Sequence, residues 1–519
     1  MTKAEIAKLE VDAINSGAKA KAEPLYAARK KIHPKRVNGD FRRLKWIIMA
    51  ITLGIYYITP FIRWDRGAFA PDQAVLLDMA NRRFYFFFIE IWPQEFIFVA
   101  GLLVMAGIGL FLVTSVVGRA WCGYACPQTV WTDLFLVVER FFEGDRNARI
   151  RLDKAPWTIS KIYKRTIKHA IWIAISVLTG GAWIFYFADA PTLLVDFVKG
   201  DAAFIAYATV GVLTATTYLL GGILREQVCI YMCPWPRIQA AMLDEDSLVV
   251  TYNDWRGEPK TKGVKKAAAL DHPVGDCVDC NACVAVCPTG IDIRDGQQLE
   301  CITCALCIDA CDDIMGKLGR EKGLISYATL RDYNHNMTEA INPETNHIEP
   351  SRVRDENGLF HSIIRHFDWR IIFRVRTLIY FSVWAAIGLA MLFMLVSRDR
   401  LELNVLHDRN PVFTRLSDGS IRNGYTVKIL NMIPEPRLVH LSVQGLEGAE
   451  VSINGVEPSA DNNYQLEIEP DKLRALRVFI SIAPDQIDNV GDDFQLVIED
   501  KQSFERDSYT AIFETPEEK

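Results

Sequence analysis

The chain has 519 residues, half of them hydrophobic, and a formal net charge of −6. That length excludes a single compact domain. The averages cover very unequal parts, so net charge points to no partner, and nucleic acid is not an expected one. Residues 1–45 read as a polar cytoplasmic arm, with Lys30, Lys31, Lys35, Arg36, Arg42, Arg43 and Lys45 crowded before the first apolar run. No short apolar core with a small-residue cleavage site precedes that run, so no cleaved signal peptide is expected. Five segments are long and apolar enough to cross a bilayer, which takes about 20 residues. They are 46–62, 96–117, 170–188, 203–223 and 371–396. The aromatic run FYFFFIEIW at 84–92, which carries Glu90, reads as an interfacial stretch or an entry to the second span.

Orientation follows from Lys and Arg in the short loops. The segment 119–168 is rich in them, with Arg140, Arg146, Arg149, Arg151 and Lys154 among others, whereas the loop 189–202 has only Lys199. The N-terminus is therefore expected in the cytoplasm of a bacterial inner-membrane protein, and the portion after the fifth span in the periplasm. A helix at 129–142 and the basic connector after it are expected to lie against phospholipid.

Two cysteine pairs follow the second and fourth spans. WCGYACPQ contains Cys122 and Cys126, and CIYMCPWP contains Cys229 and Cys233. Each pair is C-x3-C-P, so the transmembrane core 46–233 reads as a repeated unit of span, span and cysteine pair. Such a repeat can bring its two pairs together about a pseudo-two-fold axis. Residues four apart on a helix share one side. Four soft thiolates select Cu(I), zinc or iron–sulfur. Met232 and His169 are weaker candidate ligands, since such a Met usually packs and such a His usually sits at the interface.

A charged linker, 234–270, leads to residues 271–325. Here CVDCNACVAVCPTG and CITCALCIDACDD each spell C-x2-C-x2-C-x3-C, the bacterial ferredoxin run. The fourth cysteine of each run crosses to the other cube. One [4Fe–4S] cluster is therefore expected on Cys277, Cys280, Cys283 and Cys311, and the second on Cys301, Cys304, Cys307 and Cys287. Structural zinc favours two separated pairs, and disulfides do not suit these spacings in a reducing compartment. The connector 326–370 is polar and irregular, and its His335, His347, His361 and His366 read as exposed loop residues. From 400 to 515 seven short alternating runs recur at about ten-residue intervals, which suggests an immunoglobulin-like β-sandwich. The fold class is thus a multi-domain membrane protein: an α-helical bundle of about five spans, a two-cluster ferredoxin-like module and a C-terminal sandwich.

The C-x3-C-P pairs, the doubled ferredoxin run and the final span with its sandwich together resemble the CcoG/FixG/RdxA family of cytochrome oxidase accessory proteins, over nearly the whole chain. The resemblance implies a membrane polyferredoxin that reduces Cu(II) to Cu(I) and supports copper-centre assembly of the cbb-type cytochrome c oxidase. It carries the family's cluster ligands onto the eight ferredoxin cysteines. Its second cysteine set falls on Cys122, Cys126, Cys229 and Cys233, where copper would be substrate or ligand. Asp312 stands where the first run has Pro288. No flavin or dinucleotide fingerprint is present, so the electron donor is a separate protein or a quinol. Other expected partners are oxidase assembly factors or a copper chaperone or transporter, membrane lipids, and a second copy of the chain. Two other functions fit the same features. One is a quinol-linked subunit feeding a periplasmic reductase, with a further cluster or quinone chemistry at the C-x3-C-P cysteines. The other is a redox-sensing assembly scaffold.

Overall fold

The computed structural model describes residues 31–262, 274–345, 348–354, 360, 373–457, 464–484, 486 and 493–515. Among them, five helices are long and apolar enough to span a membrane: Asp40–Phe61, Pro93–Val117, Ile159–Tyr186, Phe204–Leu224 and Val375–Val396. A helix satisfies its own backbone hydrogen bonds, which is what the hydrocarbon interior demands. Glycines bring neighbouring spans close. A Cβ on Gly109 would meet Trp384 of the fifth span, and one on Gly180 would meet Thr217 of the fourth. The first and third helices begin well before their apolar runs. Ion pairs hold the polar first turns of the former, and Thr158 caps the latter by accepting the Lys161 N–H. A further helix, Ala190–Lys199, fills the loop between the third and fourth spans. Asp189 caps it and a left-handed Gly200 ends it.

The aromatic run at 84–92 is built as strands, immediately before the second span. Strands β1 (Val75–Asp78), β2 (Arg83–Phe86) and β3 (Ile89–Ile91) form an antiparallel sheet before the second span. Alternation along β2 buries Tyr85 and leaves Phe84 and Phe86 half-buried. The helix expected at 129–142 runs from Pro127 to Glu143, with one face turned into the protein and Phe141 exposed on it. It buries Asp133, Glu139 and Glu143 in ion pairs inside the bundle. Sequence amphipathicity marks two faces but does not say which one meets lipid.

The stretch 234–262 is not a linker. It contains the helix Trp235–Ala241 and strand β4 (Val249–Tyr252), which pairs antiparallel with β5 (Ile325–Ala328) on the far side of both cysteine runs. Trp255 is fully buried, and Arg256 closes on Asp276 at 2.7 Å. The connector is also partly regular: Leu330–Ala340 is a helix capped by Thr329, packed through Ala340 against Trp255 and Val353. His335 lies exposed on it, 3.6 Å from Glu339. His347, His361 and His366 lie outside the described residues, as do residues 1–30 of the arm and 263–273 of the linker.

After the fifth span the described residues form nine strands. They are β6 (Leu401–His407), β7 (Phe413–Arg415), β8 (Ile421–Asn431), β9 (Arg437–Gln444), β10 (Glu450–Ile453), β11 (Tyr464–Ile468), β12 (Leu473–Ile482), β13 (Asp493–Asp500) and β14 (Arg506–Ile512). One sheet runs β10-β12-β8-β6 with β7 on β8, and the other β11-β9-β13-β14. Alternate residues such as Val427, Ile429, Val478, Leu441 and Ile498 face inward and form the core, as two packed sheets require. The Tyr425 hydroxyl donates across the sandwich to Ile512 O at 2.7 Å. The seven runs read from sequence become β8 to β14. β6 and β7 went unread because they follow the fifth span and a proline-containing turn. The sandwich meets the small sheet through Arg83–Asp471 at 3.1 Å, and Arg398, just before β6, reaches Glu90 O and the Glu95 carboxylate at the start of the second span, each at 2.8 Å. The cysteine-bearing module sits at the other end of the bundle, against the start of the first span.

Candidate metal centre

The two ferredoxin loops share one backbone shape. Asp279 and Asn281 flank Cys280 with φ of 49° and 55°, and Thr303 and Ala305 flank Cys304 with φ of 55° and 59°. Left-handed backbone costs an L-residue roughly 1–2 kcal/mol, and Thr and Ala have no local side-chain bond to offset it. The same cost at matched positions in both loops means the shape is needed. It curls each loop around a point and turns backbone N–H groups toward sulfur. The amides of Val284, Thr303 and Leu306 donate to Cys283, Cys301 and Cys304.

The thiols fall into two groups. Cys311 has Cys283, Cys277 and Cys280 as its thiol neighbours, whereas Cys307 is closest to Cys304, Cys301 and Cys287. Burial, then this mutual crowding, pushes the thiols up: Cys304 to about 12 and Cys311 and Cys307 upward as well. Burial alone leads for Cys283, raised to about 11. Buried, mutually repelling thiols favour a cationic centre that takes them as thiolates. The residues therefore fit iron–sulfur clusters. Ile302, Leu306, Val286 and Ala310 pack around the second group and exclude water.

The C-x3-C-P pairs are built alike. Each span ends on a left-handed residue, Gly118 at φ 60° and Arg225 at φ 45°, four positions before the first cysteine. A five-residue π turn follows, Trp121–Ala125 in one unit and Val228–Met232 in the other. It closes with Cys126 N–H on Trp121 O at 2.9 Å and Cys233 N–H on Val228 O at 2.7 Å. Such widened turns recur at functional sites. The prolines then start the next helix, where a missing N–H is harmless. The N–H groups of Gln128 and Thr129 donate to the Cys126 sulfur, so the positive end of the helix Pro127–Glu143 faces that sulfur.

Three side chains outside the cysteine motifs join the two units. Gln239, fully buried on the helix after Cys233, accepts the Cys122 S–H at 3.0 Å and donates to Thr114 Oγ1 at 3.1 Å. Gln128 donates to Leu220 O at 2.8 Å and Arg225 O at 3.2 Å. Glu139 takes two bonds from Arg225, at 2.7 and 3.0 Å, which anchors its unfavourable backbone. All four thiols feel one another. Burial, then Cys126, Cys229 and Cys233, pushes Cys122 up to about 12, and burial, then Cys126 and Cys233, does the same to Cys229. Among the described residues, no three Cys, His, Asp or Glu side chains converge on a single ion-sized point. His169 Nδ1 is 2.9 Å from the Tyr218 hydroxyl, and Met232 is 59 % exposed.

The thiol set also abuts the second cluster loop. A Cβ on Gly123 would lie 2.7 Å from Ile302 O and 2.9 Å from Cys304 Cα, so only glycine permits this approach. Cys122 packs with Cys304 and Cys307 in one apolar cluster. The buried Arg119 donates to Leu299 O at 2.7 Å and Cys301 O at 2.9 Å, latching the end of the second span to the loop. The Lys45 ammonium, buried on Asp133 at 2.8 Å, offsets part of the upward push that burial gives both Cys229 and Cys304. Arg119, Lys45 and Gln239 have no signal in the sequence, because nothing about their spacing relates them to the cysteines.

Known proteins match along the chain. Residues 224–330 match the family described as a 4Fe-4S dicluster domain, and residues 98–143 one described as a 4Fe-4S binding domain. Residues 391–516 match the Ig-like fold at the C-terminus of FixG. The nitrogen fixation protein FixG of Rhizobium meliloti (strain 1021) is 64 % identical over 99 % of this chain and 98 % of its own. Proteins RdxA and RdxB of Cereibacter sphaeroides are each 54 % identical, over 84 % and 83 % of this chain and 86 % and 85 % of theirs.

Proposed function

The chain belongs to the FixG/RdxA family and is a membrane iron–sulfur electron-transfer protein, and on that premise we propose that it reduces Cu(II) to Cu(I) for the copper centre of a cbb-type cytochrome c oxidase. The observation that carries this reading is the seating of Gly123 on the Ile302 and Cys304 backbone, which sets soft thiols beside a cluster loop. The [4Fe–4S] groups supply single electrons over a range of about −700 to +450 mV. Cu(II) at Cys122, Cys126, Cys229 and Cys233 takes one electron and becomes Cu(I), the ion that thiolates prefer. Tighter holding of Cu(I) than of Cu(II) raises the potential of the couple and favours the transfer. Gln239 fixes Cys122, and the Gln128 and Thr129 amides offset charge on Cys126. In this reading the clusters face the cytoplasm of a bacterial inner membrane. The sandwich faces the periplasm, where it meets an assembly factor or copper carrier. The Lys- and Arg-rich segments on the cluster side support that orientation.

The test is anaerobic reduction of Cu(II) by purified protein with pre-reduced clusters and no excess reductant, followed with a Cu(I) chelator. Cu(I) should form as cluster absorbance returns, and a Cys122→Ala, Cys229→Ala double variant should slow it. Clusters that stay reduced in the presence of Cu(II) would overturn the reading.

A second reading has its own support. The match of residues 98–143 to a 4Fe-4S binding domain includes Cys122 and Cys126, and the four thiols have no single-ion convergence. Both features favour a third cluster there. Iron near eight atoms per chain supports two cubes, and near twelve supports three, at about four irons per cube.

A further inference from the structure

A groove of about 870 Å³ opens between the first span, the end of the second span and the cluster module. That volume is within the range of about 300–1,000 Å³ typical of organic ligand sites. Leu44, Ile48, Val113 and Val117 line its wall on the spans. Leu44 and Val113 are 44 % and 39 % exposed on helices long and apolar enough to span a membrane. Its floor is Trp121, Tyr124 and Ala125 from the first C-x3-C-P turn, with Ile308 and Tyr327 from the cluster module. The polar end is formed by Asp312, Lys322 and Ser326.

We propose that this groove binds an isoprenoid quinol, which donates electrons to the cluster held by Cys287, Cys301, Cys304 and Cys307. The inference rests on the electron-transfer reading above and not on copper as acceptor. Three features select this occupant. The groove is apolar toward lipid and polar at its inner end, as a prenyl tail and a dihydroxy ring require. A pair of hydroxyls stands at the floor: Tyr327 donates to Thr303 O at 2.8 Å, and Tyr124 lies 3.4 Å from the Tyr327 hydroxyl. With the Tyr327 proton committed, Tyr124 donates to Tyr327, and its own oxygen can accept from a quinol hydroxyl. The same two rings feel Cys304 and Cys307 directly, so a ring in the groove lies one side chain from the cluster ligands. A lipid acyl chain has no use for the hydroxyl pair. In the reaction the quinol becomes a quinone. With both clusters bound, each would accept one of its two electrons, the nearer one first, and its two protons would leave to water at the Asp312 and Lys322 end.

The experiment is photoaffinity labelling of the full, cluster-loaded chain in lipid nanodiscs with a short-tailed azido-ubiquinone, competed by decylubiquinone and mapped by mass spectrometry. Label should concentrate on peptides carrying Leu44 to Ile48 or Val113 to Tyr124 and fall at least roughly tenfold under competition, as for one saturable site. Ala120→Trp, which fills the groove, should abolish it. Tyr124→Phe should weaken competition roughly three- to tenfold, the loss of one neutral hydrogen bond. Unchanged iron per chain shows that each variant is folded and loaded. Label spread over all five spans, label that decylubiquinone does not displace, or label indifferent to Ala120→Trp and Tyr124→Phe would overturn the proposal. Failure here with Cu(II) reduction intact condemns the quinol site alone, and labelling without Cu(II) reduction condemns the copper reading alone.

Discussion

Gly123 is the point of closest backbone approach described between the first C-x3-C-P turn and the second cluster loop. A methyl group there would meet the Ile302 carbonyl and the Cys304 backbone, and neither can move without disturbing a cluster ligand. Gly123→Ala is expected to keep its full iron content but slow electron arrival at the C-x3-C-P thiols by roughly ten- to hundredfold, as a displacement of about 1 Å at a reacting centre does. Stopped-flow reoxidation of the reduced clusters by Cu(II), read against iron per chain, measures it. Equal rates in the two proteins would show that the contact is packing alone. The eight ferredoxin cysteines were legible as a spacing. The glycine was not, because its role depends on what a distant loop brings against it. The same holds for Gln239, whose partner Cys122 lies on the other repeat unit.

At the scale of elements, the helix Pro127–Glu143 is a strut. Its first turn faces Cys126, Asp133 gathers Arg42 at 3.1 Å and Lys45 at 2.8 Å from the first span, and Glu139 gathers Arg149 and Arg225. Asp309 of the cluster module adds a cap by accepting the N–H groups of Phe41 and Arg42 at 3.2 and 2.8 Å. Asp133→Ala leaves two buried cations without a partner and is expected to cost about 3–5 kcal/mol. It should lower the thermal midpoint and the amount of protein in membranes. Adding Lys45→Met should recover part of the loss, because one uncompensated charge is gone. A double variant no better than Asp133→Ala would place the damage elsewhere. Hydropathy found the spans because apolar runs need no partner to be recognised. It did not show the strut's buried ion pairs, because a charged helix buried in ion pairs and a charged helix on a membrane surface have the same periodicity.

Across the whole molecule, the contact between the sandwich and the small sheet includes one carboxyl, Glu90, that titrates near neutrality. Burial first, and then Asp471, push the Glu90 carboxyl up to about 7, against the pull of Arg83. Below about pH 4.5 the carboxyl is protonated whether or not the contact is made. Between there and about 7 it ionises only when released. The contact therefore weakens as pH rises through that window, by up to about 3 kcal/mol, and then levels off. Hydrogen exchange in β1 to β3 and around Asp471 should quicken from pH 5 to pH 7.5, and Glu90→Gln should flatten the dependence without changing iron content. A wild-type profile as flat as that of the variant would remove Glu90 from the contact. Strand alternation made the sandwich legible in the sequence. Its attachment was not, since Arg83 and Asp471 are remote in sequence and the small sheet between them was hidden in an aromatic run.

The two C-x3-C-P turns share their hydrogen bonding and their proline, yet they are not interchangeable. Where the first has Gly123 and a buried Tyr124 against the cluster loop, the second has Ile230, with Tyr231 and Met232 64 % and 59 % exposed. One arm is built to be approached by backbone from within, and the other presents side chains to whatever arrives from without. A duplicated unit has thereby acquired a front and a back, one arm closed on the cluster loop and the other open, fixed in the chain before any partner binds.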